Sequence, residues 1–280
     1  MNLRSRHALA GATACAVAFA ALIAAAYWWP RFGQLDAAAL GGFVGADRLH
    51  GICADLVKFG DPLPLVLLTA GVCAAGIAWG RRRHVAAALL LVAGANLTAQ
   101  LLKVALAHPR VHQLLGPSDQ PAAAAFPSGH ATAAMSIALA AVLVAPRSWR
   151  PAVALAGAAL SISVSISVIV LGWHFPSDAV GGCILAAGFG LLALSWLRAG
   201  ESADLAQRET GTRPVPEFSP RLAEILLALG AAVCFALAVT HLPPMLAYAR
   251  ADTSTVAAGL AIVAASAALV AVVAAEAGRR

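Results

Sequence analysis

Long apolar runs, each close to bilayer length and separated by short charged clusters, constrain this chain more than any other feature. A helix needs about 20 mainly apolar residues to cross the hydrocarbon core at 1.5 Å per residue. Eight segments are read as spans: 8–29, 61–80, 85–106, 128–145, 152–171, 176–197, 222–243 and 255–275. Of the 280 residues 61% are hydrophobic and only 11% charged, too little charge to cover a soluble surface. The expectation is an all-α, polytopic membrane helical bundle. Nineteen Lys and Arg against thirteen Asp and Glu give a net charge of +6, but these charges fall between the apolar runs. They read as topology signals rather than a groove for a phosphate backbone, so nucleic acid is not an expected partner.

Orientation follows from the same charges. With the N-terminus inside, cytoplasmic segments hold 13 of the 19 basic residues, which places both termini in the cytoplasm. The first run follows Arg4, Arg6 and His7 and ends in Tyr27-Trp28-Trp29-Pro30, an interface anchor rather than a small-residue cleavage site. The composition fits a multi-pass protein of a bacterial inner membrane. Five cysteines form no CxxC and no Cys/His cluster, so neither a metal site nor a disulfide framework is expected.

Two segments punctuate the spans. Residues 31–60 scatter Leu35, Leu40, Phe43, Val44, Leu49, Ile52, Leu56 and Phe59 among charges at roughly helical spacing, which predicts a short amphipathic helix along the outer interface. Residues 199–221, rich in Glu, Arg, Pro and Gly, read as a cytoplasmic linker. The expected layout is a six-span core over 1–198, the linker, and a two-span hairpin over 222–280. That hairpin either supports a homodimer or closes the side of the bundle.

The informative residues are those a plain hydrophobic bundle would lack. Lys103 sits near the outer end of the third span, and the next loop carries His108, Arg110, His112, Asp119 and Phe126-Pro127-Ser128-Gly129-His130. After the fifth span comes Gly172-Trp173-His174-Phe175-Pro176-Ser177-Asp178. The assigned topology brings all of them to the outer face. Lys103 and Arg110 supply positive donors for phosphate oxygens. Ser128, Gly129 and His130 open a helix, whose free amides and dipole favour an anion. Two histidines can divide nucleophilic and acid–base work, and Asp178, four residues after His174, can fix its tautomer. Asp61, after Gly60 at a span start, reads as a cap, and Asn96 and Gln100 as polar packing groups one and two turns before Lys103.

The order and spacing of these residues resemble the membrane-embedded branch of the type 2 phosphatidic acid phosphatase (PAP2) superfamily. Lys103 and Arg110 match the spacing of its first motif, with Val111 where proline is usual. Pro127-Ser128-Gly129-His130 reproduces the second, and Ser167, His174 and Asp178 fit the third, whose arginine position holds Val168. Gly60-Asp61 and the preceding amphipathic stretch also look like the family, so the resemblance covers about residues 30–198. It implies His174 as a nucleophile forming a phosphohistidine, Asp178 orienting it, and His130 protonating the leaving oxygen. Lys103, Arg110, Ser128 and Gly129 would bind phosphate, with Ser167, His108 and His112 as accessory candidates and no metal or other cofactor. The implied substrate is a lipid phosphate or diphosphate: a polyprenyl diphosphate, phosphatidylglycerophosphate or phosphatidate. Two other readings stay open because of Val168: a lipid phosphotransferase of the same fold, and a non-catalytic protein that binds a lipid headgroup.

Overall fold

The computed structural model describes residues 3–44, 49–110, 115, 120–204 and 253–278. All of its regular structure is helical: α1 (Leu3–Trp28), α2 (Pro30–Val44), α3 (His50–Leu56), a 3-10 turn over Val57–Gly60, α4 (Pro62–Ala78), α5 (Arg82–Ala105), α6 (Gly129–Val144), a 3-10 turn over Arg147–Trp149, α7 (Arg150–Val170), α8 (Pro176–Asp204) and α9 (Thr253–Gly278). Five described helices are long and apolar enough to cross a membrane, and the bent pair His50–Gly60 and Pro62–Ala78 makes a sixth if it counts as one span. The chain is a multi-pass membrane bundle.

α6 sits at its centre. Every residue from Ala131 to Val144 except Ala141 is buried, and α4, α5, α7, α8 and α9 all pack against it. Its 16 residues reach only about 24 Å, short of the roughly 30 Å hydrocarbon core. The expected span 128–145 is therefore a shorter apolar helix, enclosed by neighbours rather than by lipid. The span expected at 222–243 and the linker from 205 onward lie outside the described residues, while α8 continues to Asp204, past the expected end of the core at 198. α9 lies against α7, α8 and α2, and Thr255 Oγ1 donates to the Ala39 carbonyl of α2 at 3.2 Å. α9 thus lies along the side of the bundle.

The stretch between the first two spans departs from the single amphipathic helix expected there. It forms two helices and a 3-10 turn, and the segment His50–Gly60 meets α4 at a 56° bend. The bend falls at Asp61, whose extended backbone precedes Pro62 at the first position of α4. The face that α2 turns inward carries a carboxylate as well as apolar residues. Gly33, Asp36, Ala37 and Leu40, at i, i+3, i+4 and i+7, turn inward with Ala39, while Leu35 is exposed. In lipid helices approach closely through small residues, so Gly33, Ala37 and Ala39 make most of this contact with Leu40 filling in beside them, while Leu35 faces outward.

Candidate active site

The site forms where two helices begin side by side. At the end of α7, Gly172 adopts φ +72°, a left-handed conformation that glycine enters without a Cβ penalty. Gly172 N donates to Ile169 O at 2.9 Å and Trp173 N to Val168 O at 3.0 Å, closing a Schellman turn. This turn swings His174 and Phe175 inward, and Pro176 then starts α8 with its missing N–H where no partner is needed. Asp178, third in α8, reaches back so that Oδ2 accepts from Phe175 N at 3.0 Å, half of a capping box. α6 starts alongside: Ser128 Oγ accepts from Ala131 N at 3.4 Å, and Ser128 N donates to the Asp178 carbonyl at 2.9 Å. A Cβ on Gly182 of α8 would lie 2.7 Å from Ser128 O, so the two helix starts meet only because that position is glycine. Two N-terminal dipoles thereby point into the same space, a ready anion site.

His174 is buried, and its Nδ1 lies 3.4 Å from Asp178 Oδ2, an ion-pair separation without hydrogen-bond alignment. Among the described residues it is the one buried side-chain nitrogen or oxygen that lacks a hydrogen bond. A buried unsatisfied nitrogen beside a carboxylate fits a working group better than a packing group. His130, second in α6, points Nε2 at Asp61 Oδ1 at 3.1 Å, and its ring lies 5.6 Å from that of Trp173. The charges of His174 and Lys103 both bear on the His130 ring. Lys103 Nζ lies 3.3 Å from where a Gly129 Cβ would stand, with Gln100 Nε2 at 3.4 Å. Among the described residues Lys103 has no ion-pair partner, so its ammonium is available where α6 begins.

Arg110 is engaged differently. Its guanidinium is 8% exposed, pairs with Asp178 Oδ1, donates to Ser177 Oγ at 3.2 Å and lies 3.6 Å from Asp36 Oδ2. Phe175, Tyr27 and Phe126 surround it, with centroids 4.5, 5.2 and 5.9 Å from Cζ. Its charge serves the carboxylate behind His174 before it serves any ligand. Asp36, absent from the candidates read in the sequence, completes this cluster. Its Oδ1 accepts from Ser177 N at 3.0 Å and Oδ2 from Ser177 Oγ at 2.5 Å. Burial and the neighbouring Asp178 charge push the Asp36 carboxyl up to about 6, against the Ser177 bonds and Arg110.

The structure thus gathers His174, Asp178, His130, Lys103, Arg110, Ser128 and Gly129 at one end of the bundle. Ser167 is buried and donates to Ser163 O within its own helix at 2.8 Å. Val168 belongs to the apolar core and supplies only its carbonyl to the turn. His108 is exposed, and His112 lies outside the described residues. Asp61 occupies the cap position of α4 but makes no side-chain cap bond, so the capping role expected of it is not observed. Asn96 spans two helices as expected, donating to Ser136 Oγ at 3.0 Å. No three His, Cys, Asp or Glu side chains among the described residues come together as a metal-binding group.

Residues 84–201 match the family model of the PAP2 superfamily. Among solved structures, the chain resembles a transmembrane PAP2-type phosphatidylglycerolphosphate phosphatase from Bacillus subtilis with a TM-score of 0.53 and 19% identity, covering 71% of this chain and 98% of that one. No curated protein sequence matches it significantly.

Proposed function

We propose, taking as premise that the chain carries a PAP2-superfamily domain over residues 84–201, that it is an integral membrane lipid phosphatase working through a phosphohistidine. The observation that carries this reading is the buried His174–Asp178 pair beside His130 and Lys103, at two adjoining helix N-termini. Asp178 faces Nδ1, which leaves Nε2 of His174 as the nucleophilic nitrogen. Its lone pair attacks phosphorus, the bond to the lipid oxygen breaks, and His130 gives that oxygen a proton. Water then attacks the phosphohistidine, returns a proton to His130, and phosphate leaves as the P–N bond breaks. Lys103 and the opening amides of α6 stabilise charge on the phosphoryl oxygens. Arg110 acts mainly by holding Asp178 in place.

The substrate class is a phosphomonoester or diphosphate of a lipid. Phosphatidylglycerophosphate, the substrate named for the Bacillus subtilis protein, stands beside polyprenyl diphosphate and phosphatidate. The proposed setting is a bacterial inner membrane with both termini cytoplasmic and the site on the outer face, as the basic residues suggest. Division into a core over 1–198, a linker and a hairpin over 222–280 belongs to the same proposal.

The test is phosphate release by the purified protein in detergent, without added metal, on those three lipids. Release by wild type that falls about a thousandfold or more in His174→Ala supports the phosphohistidine. Equal release by both would overturn it. Label passing to a second lipid instead of to water would convert the reading to a phosphotransferase.

A further inference from the structure

We infer that Asp61 is a positioning residue for His130, so that the site is built from two carboxylate–histidine pairs. The inference rests on the phosphatase reading and adds to it a residue that fixes the acid–base partner. The Asp61 carboxylate stands 3.1 Å from His130 Nε2 and forgoes the backbone cap its position would allow. A cap alone would leave the histidine untouched.

A second observation shows that this corner is fitted to His130. A Cβ on Gly60 would lie 2.8 Å from His130 Cβ, 2.9 Å from Cα and 2.9 Å from Cδ2. Real Cβ atoms essentially never come so close, and two of those atoms belong to a helix start that cannot swing away. Gly60 lets the corner touch His130, and Asp61 uses that contact to hold the ring. Asp61 is 47% exposed on its side chain and His130 24%, so the pair sits at the mouth of the site, while the Asp178–His174 pair lies at its floor.

The pairing assigns the nitrogens. With Nε2–H donated to Asp61, Nδ1 is the nitrogen left to exchange a proton. In the imidazolium, the Nδ1 proton passes to the leaving lipid oxygen as its bond to phosphorus breaks. The Nε2 proton stays on the ring, donated to Asp61, throughout, and the attacking water restores Nδ1–H. The other charged groups facing His130 are Lys103 from α5 and His174 from the turn before α8. Both oppose a positive ring, and Asp61 supplies the compensating charge.

The experiment uses the full-length protein in detergent with Asp61→Asn, Asp61→Glu, His130→Ala and the Asp61→Asn/His130→Ala pair, alongside His174→Ala. Asp61→Asn should lower kcat by about ten- to a hundredfold with little change in KM, and move the limb of the pH–rate profile that reports the acid to lower pH. Asp61→Glu should recover part of the rate. In the His130→Ala background Asp61→Asn should add nothing, because its effect runs through the ring. The inference is overturned if Asp61→Asn keeps the wild-type pH profile, or if its loss persists undiminished in that background. Should His174→Ala retain full release, the phosphatase reading itself fails. If His174→Ala is dead while Asp61→Asn behaves as wild type, the failure is confined to Asp61. Titration of the His130 ring by NMR in wild type and Asp61→Asn reads the same coupling without turnover, and identical curves would also overturn it.

Discussion

Arginines at the two ends of the bundle bind different kinds of partner, and the contrast separates scaffold from site. At the end carrying α9's C-terminus Arg81, Arg147, Arg150 and Arg198 bind backbone carbonyls. Arg81 donates to Val144 O at 2.7 Å and also to Ala145 O, Arg150 Nε to Ala145 O at 3.2 Å, and Arg147 to Gly278 O at 3.2 Å. Arg150 also reaches Ala277 O, and Arg198 reaches the Glu276 carbonyl and its carboxylate, the latter at 3.0 Å. These carbonyls are the last of α6 and α9, which have no partner within their helices, so the cations cap the helices and oppose their dipoles. At the other end Arg110 touches side chains instead: Asp178, Ser177 and Asp36. A carbonyl cap is satisfied once and stays so. A carboxylate that faces both an arginine and a histidine can change its allegiance during a reaction.

The sharpest way to break that contrast is Arg110→Ala. Removing it strands Asp178 and Asp36, both buried, without their cation. The expected cost is about 3–5 kcal/mol of stability, with phosphate release falling a hundredfold or more. Arg110→Lys should recover part of the stability and less of the rate, since one ammonium cannot reproduce the planar fork that meets Asp178 and Ser177 together. Thermal midpoints and release rates on the same preparations check both. If Arg110→Ala melted like wild type, Arg110 would be an ordinary surface group and the contrast would collapse.

A smaller effect sharpens it through pH. Asp36 holds its proton up to about 6 in the folded protein, against about 3.9 for a free carboxyl. Between those values the folded state binds a proton that the unfolded state has lost, so stability falls as pH rises through this window and levels off above it. The full shift corresponds to about 3 kcal/mol as an upper bound. Asp36→Asn should flatten that part of the profile and remove most of the decline between pH 4 and 6. Melting curves of wild type and variant across pH 4–8 measure it, and parallel slopes would show that Asp36 is not the titrating group.

Those two carboxylates also mark how far the sequence could be read. The positions of Lys103, Ser128-Gly129-His130, His174 and Asp178 were legible because ionisable groups at span ends stand out against 61% hydrophobic composition. The helices followed from apolar runs for the same reason. Asp36 was not among the candidates because the segment reads as an amphipathic helix along the interface, where a lone carboxylate among charges looks solvated. The buried stripe is mostly small, Gly33, Ala37 and Ala39 beside Leu40, and a polar residue on such a stripe is the signal that finds Asp36. Asp61 was visible as a residue but not in its role, since a carboxylate before Pro62 reads as a cap whether or not it makes the bond. The engagement of Arg110 with carboxylates was hidden too, because spacing in a loop fixes no direction for a side chain.

The smallest expected effects lie among the carbonyl-bound arginines. Arg198→Ala removes donors to both the carbonyl and the partly buried carboxylate of Glu276. It should cost about 1–3 kcal/mol, with release per folded molecule unchanged. Arg147→Ala gives up an exposed 3.2 Å bond to Gly278 O and should cost less than about 1 kcal/mol, since water can take the carbonyl in its place. The pair makes an ordered test at the carbonyl-capping end: a graded loss of thermal midpoint, Arg198 before Arg147, at constant kcat and KM. A tenfold change in kcat from either variant, with its midpoint held, would mean that the far ends of α6 and α9 act on the helix starts where His130 and Asp178 sit. The division between capping arginines and a site arginine would then be one of bonding pattern only.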